Sequence, residues 1–87
     1  MCTYTTERVD LQGSAKGPRG WFHATTASVY YDHPVHAAAG HTLNIDVLAP
    51  GDGPSARVAL ELTAGSARAL AAAIEAALAA VPADLLD

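Results

Sequence analysis

ASVYYDHPVHAAAGHTLNIDVL, residues 27–48, decides the fold. Two runs rich in β-branched and aromatic residues flank a segment holding Pro34, Gly40 and three alanines, the pattern of two strands joined by a loop. If they pair as an antiparallel hairpin about residues 33–41, Tyr31 faces Leu43, Val29 faces Ile45 and Ala27 faces Val47. All six are apolar or amphipathic, so this register makes one buried face. The opposite face then carries Thr26, Ser28, Tyr30, Asn44 and Asp46. A slip of one residue would invert every side chain, so the hydrophobic pattern specifies the pairing.

Working outward, residues 57–62, RVALEL, alternate again and add Val58, Leu60 and Leu62 to the apolar side and Glu61 to the polar side, after a turn at PGDGPS, residues 50–55. The longest β-prone run extends back to Trp21, and the glycine-rich GSAKGPRG, residues 13–20, reads as a flexible loop. CTYTTERVDL, residues 2–11, reads as a first strand; Tyr4 and Val9 differ in parity, which places a bulge between them. TAGSARALAAAIEAALAAV, residues 63–81, has Leu70, Ile74 and Leu78 at steps of four, one amphipathic helix over about 64–81 with Thr63 or Ser66 as N-cap and Pro82 beyond its end. The tail ADLLD frays unless Leu85 and Leu86 pack on a neighbour. The expected fold is α+β: one domain over 1–87, a four-stranded antiparallel sheet with strands at about 2–11, 21–31, 42–48 and 57–62, and one C-terminal helix on one face.

An 87-residue chain buries only roughly 60–65% of the surface its unfolded form exposes. One helix covers one sheet face, so a homodimer that buries part of the other face or an edge strand is expected. Nine acidic residues stand against five basic ones, and Arg8, Lys16, Arg19, Arg57 and Arg68 are scattered, which argues against a nucleic-acid partner. No apolar run approaches 18 residues and residues 3–10 are polar where a signal peptide would need an apolar core, so no membrane partner and a cytoplasmic location are expected. Cys2 is the only cysteine and forms no internal disulfide.

Three of four histidines, His33, His36 and His41, fall within nine residues at the hairpin mouth. Imidazole suits zinc, iron, copper or nickel, and three ligands would leave a position for water or substrate. The expectation is a small metal-binding protein, with metalloenzyme action on a small molecule as its extension and Tyr30, Asn44 and Asp46 on the substrate side. Asp32 serves as a ligand, as the acceptor that orients a ligating imidazole, or simply as a turn residue. The competing readings are three solvated loop histidines, a wetted polar face, and a non-catalytic homodimeric binding or accessory module working through that open face. His23 lies ten residues before His33, roughly 33 Å along an extended strand, and joins the cluster only from a second chain. Cys2, if exposed by loss of Met1, would pair an amine with a thiol.

The stretches MCTYTTERV, GWF, DHPVHAAAGHTLNID and ARVALELTAGSARALAAAI resemble a family of short, uncharacterised actinobacterial proteins grouped as a domain of unknown function. The likeness spans nearly the whole chain, with DHPxH and HxLNID its most specific pieces. It implies no activity, cofactor or substrate.

Overall fold

The structure, a computed structural model, describes residues 4–86. Cys2 lies outside the described residues. Four antiparallel strands, β1 (Thr6–Gly17), β2 (Gly20–Asp32), β3 (Thr42–Leu48) and β4 (Arg57–Leu62), form one sheet in the order β1-β2-β3-β4, followed by helix α1 (Ala64–Ala79). The β2–β3 register is the one the apolar pattern demands, with Tyr31 opposite Leu43, Val29 opposite Ile45 and Ala27 opposite Val47. β4 continues it, placing Leu62, Leu60 and Val58 opposite Leu43, Ile45 and Val47.

β1 departs from expectation. It begins at Thr6, beyond Tyr4 and Thr5, and runs through most of GSAKGPRG to Gly17. What reads as a flexible loop is strand plus a two-residue turn, because Gly17 pairs with Gly20 across Pro18-Arg19. Pro18 presets its own φ for the first turn position, and Gly20 follows at φ +110°, where a side chain is disfavoured. The bulge also moves. Pairing shifts between Asp10 and Gly13, so Leu11 and Gln12 together oppose Thr25. One extra residue there reverses the parity of β1 and increases its bend.

That bend curls the sheet. β1 and β4 are opposite edges, yet they touch. A Cβ on Gly17 would lie 2.9 Å from the Ser55 carbonyl oxygen and 3.2 Å from that of Arg57. By register Gly17 shares its face with Phe22 and Ala24, and hence with Ser28, Tyr30, Asn44 and Asp46, so the sheet is concave on its polar side. The expectation of an open polar face is therefore corrected: Ser28, Thr42 and Asn44 are buried, whereas the buried apolar residues among those described are four alanines, Ala24, Ala27, Ala49 and Ala56.

Thr63 is the N-cap of α1, its hydroxyl accepting from the Ser66 N–H at 3.1 Å. The helix ends at Ala79, since Pro82 disfavours helical backbone at Val81. α1 meets β3 and β4 where Ala64, Ala67 and Arg68 approach Tyr31 and Leu43. Beyond that first part it is exposed along its length. Leu85 and Leu86, in and after a short 3-10 turn, are exposed, as is Trp21. No helix among the described residues is long and apolar enough to cross a membrane.

Candidate functional site

The 33–41 connection folds back over the concave face, and a single side chain ties it down. Glu61 stands opposite Asn44 on that face. Its Oε2 accepts the Val35 N–H at 2.6 Å, and its Oε1 accepts those of His36 and Ala37 at 2.9 and 2.8 Å. Three consecutive loop amides with no ladder partner are thereby satisfied by one carboxylate. These backbone donors hold the Glu61 carboxyl below its usual range.

Beneath the loop lies a cleft of about 180 Å³ lined by Tyr30, Asp32, His33, Asn44, Asp46 and Glu61 among others. Asp46 organises one wall. The Tyr30 hydroxyl donates to its Oδ2 at 3.1 Å, and Arg57 Nε and Nη2 donate to its Oδ1 at 3.2 and 2.7 Å. Burial, then the bond to Asp46 and its charge, raises the Tyr30 phenol above its ordinary value. Tyr30 thus stays a neutral donor at physiological pH. Asn44 lines the cleft, and the buried Thr42 hydroxyl donates to its Oδ1 at 2.6 Å.

The three residues placed on the substrate side by sequence, Tyr30, Asn44 and Asp46, share this cleft. The histidines divide. The His33 and His41 rings stack at 4.3 Å between centroids, and His41 stacks in turn on Tyr31 at 5.9 Å. His33 Nδ1 lies 2.8 Å from the Gly40 carbonyl oxygen, which can only accept, so Nδ1 is the donor in this bond. Asp32 Oδ1 accepts the His33 backbone N–H at 2.7 Å. His36 lines a separate outer groove with Val35, Ala37, Arg57, Ala59 and Glu61. His23 pairs with Ser14, far along β2. Among the described residues no three His, Cys, Asp or Glu side chains are grouped to hold a metal ion.

Over residues 1–87, that is the whole chain, the sequence matches the model of a family of unknown function, DUF6295. The chain belongs to that family. No curated protein and no solved structure matches it. For DUF6295, then, the cleft geometry of this chain is what carries a functional reading.

Glu61 and Arg57 are the site residues that sequence reading undervalued. Register alone placed Glu61 opposite Asn44, two residues from the loop's end at Thr42, and a loop of unpaired amides above a carboxylate is a detectable signal. The Glu61 linkage has a definite sign. Its folded pKa is depressed, so its contribution is complete above the unfolded value of about 4.3 and is lost as pH falls from there through the lower folded value. Protection of the Val35, His36 and Ala37 amides, measured against their intrinsic exchange rates, should therefore fall selectively on acidification below about pH 4, and Glu61→Gln should show that lower protection already at neutral pH. Unchanged protection in Glu61→Gln would mean the loop is held by other contacts.

Proposed function

We propose that the protein is a non-catalytic binding module that holds a small polar ligand between the 33–41 loop and the concave sheet face. The observation that supports this most is the inversion of polarity. Polar side chains of Ser28, Thr42 and Asn44 are buried on the concave face, and Asn44 lines the cleft under the tethered loop, while larger apolar side chains are left outside. Burying polar groups costs stability unless each is hydrogen-bonded; a sheet shaped for stability alone would put its aliphatic residues there. A cleft of about 180 Å³ suits a compact ligand. Its walls present Asp32, Asp46 and Glu61 against the single guanidinium of Arg57, favouring a neutral or cationic hydrogen-bond donor over an anion. Tyr30 is a neutral donor and Asp46 is engaged by two partners, which suits both groups to holding a ligand in place.

Methylammonium, urea, glycerol and acetate at millimolar concentration are suitable probes in 1H–15N spectra. Methylammonium or urea should shift the Asn44 side-chain amide and the Val35, His36 and Ala37 amides together, with acetate the weakest. Shifts scattered over the surface, or strongest with acetate, would remove this reading.

A second reading, metal binding, rests on the His33–His41 pair. A ligating imidazole commonly gives its other N–H to a carbonyl, as His33 does to Gly40. His36 would join only by turning from its outer groove. Elemental analysis of tag-free protein separates the two readings. Near-stoichiometric zinc, iron, copper or nickel, released below about pH 6 as imidazole protonates and abolished by His33→Ala or His41→Ala, would favour the metal.

A further inference from the structure

From the uncovered apolar face and helix we infer that two copies of this chain pair face to face, each laying α1 across the apolar side of the other's sheet. The interface is distinct from the cleft and does not depend on what the cleft binds. Size makes the first argument. A compact 8.9 kDa monomer exposes about 4,800 Å², whereas this chain exposes 6368 Å². The excess, about 1,600 Å², exceeds the ~800 Å² that each partner gives to a standard interface. The radius of gyration, 14.5 Å, is likewise above the ~12 Å expected for 87 residues.

Chemistry makes the second. The uncovered surface has two parts that match each other. On α1, Leu70, Ile74 and Leu78 are 39, 52 and 49% exposed; on the sheet's apolar face, Val9 and Leu60 are 49 and 40% exposed. The 16-residue helix is about 24 Å long, close to the ~19 Å width of four strands. Each chain owns both a helix stripe that is half exposed beyond the start of α1 and a sheet face that its own helix meets at Tyr31 and Leu43 while Val9 and Leu60 stay exposed, so a two-fold axis satisfies both at once, the self-complementary condition of an isologous dimer. Charge agrees as well. Each copy carries a net −4, so identical chains repel except through an uncharged surface. Arg68 and Glu75, the only charges in α1, fall off the leucine–isoleucine stripe at about 100° per residue, and on the apolar sheet face Glu7 sits at the outer strand. This pairing differs from the dimer expected from sequence, which would bury part of the other sheet face or an edge strand.

Light scattering should return about 18 kDa, twice the 8.9 kDa chain, at micromolar concentration. Ile74→Asp, at a site half-exposed in one chain, should weaken pairing about a thousandfold, since a symmetric interface loses the residue twice; Val35→Ser, 82% exposed on the loop over the opposite face, should leave it unchanged. If Ile74→Asp fails to fold, wild-type protein answers alone. Its Tm should rise with concentration, and mixed-label samples should show intermolecular contacts from Ile74 and Leu78 methyls to Val9 and Leu60. A monomer mass at 100 μM, as expected if this surface serves a different partner, or a dimer lacking those contacts, overturns the inference.

Discussion

Gly17→Ala is expected to destabilise the chain by about 1–3 kcal/mol, roughly 5–20 °C in Tm for a domain this size. The cause is steric. The new methyl would sit 2.9 Å from the Ser55 oxygen, 3.2 Å from the Arg57 oxygen and 3.2 Å from Phe22 Cε1. Two of those atoms are backbone, fixed at the start of β4, so the β1–β2 hairpin must withdraw and the curl must open. Gly13→Ala is the matched control: nothing lies within 4 Å of its Cβ and its φ is not positive, so it should change stability by less than about 0.5 kcal/mol. Thermal melts of the pair decide the matter. Equal melting temperatures would show that β1 and β4 do not approach as described.

Thr42→Val should cost about 1–3 kcal/mol, because removing the hydroxyl strands Asn44 Oδ1 in a buried site. Thr42 is 0% exposed, the largest side chain buried to that degree among the described residues, so water has no easy route to replace the lost donor. Thr42→Ser keeps the hydroxyl and gives up one methyl, about 0.8 kcal/mol. The ordering, wild type above Ser above Val, isolates the hydrogen bond from the packing. A valine variant as stable as the serine variant would mean that the Thr42–Asn44 bond adds nothing, and with it would go the argument that the cleft floor is organised by buried polar contacts. Neither substitution touches the apolar face, so pairing between copies should persist in both.

Most of the sheet was legible because β2, β3 and β4 alternate cleanly, and alternation fixes register to the residue. β1 was not, since its pattern changes parity at Leu11-Gln12 and its second half is written in glycine, serine and alanine, residues that also write loops. Curvature was hidden for the same reason. It arises from a bulge and from the missing Cβ of Gly17, neither of which has a hydrophobic signature. At the site, Tyr30, Asn44 and Asp46 could be placed together by parity alone, and His33 near His41 by hairpin geometry. His36 could not, because its place follows from backbone amides caught by Glu61, 25 residues later in the chain. The helix is legible from its steps of four, but periodicity says only which side is apolar and nothing about which surface lies against it.

The two rims of the sheet restrict how these molecules can accumulate. The outer rim of β1 carries Glu7, Arg8, Asp10 and Lys16 and is broken by the bulge, while β4 is only six residues long, bears Arg57 and Glu61, and has the 33–41 loop tied to it. Charged, interrupted, short or covered rims do not template another strand. Growth into a fibril by strand addition is therefore blocked on both sides, so association through the sheet must use a face and not a rim.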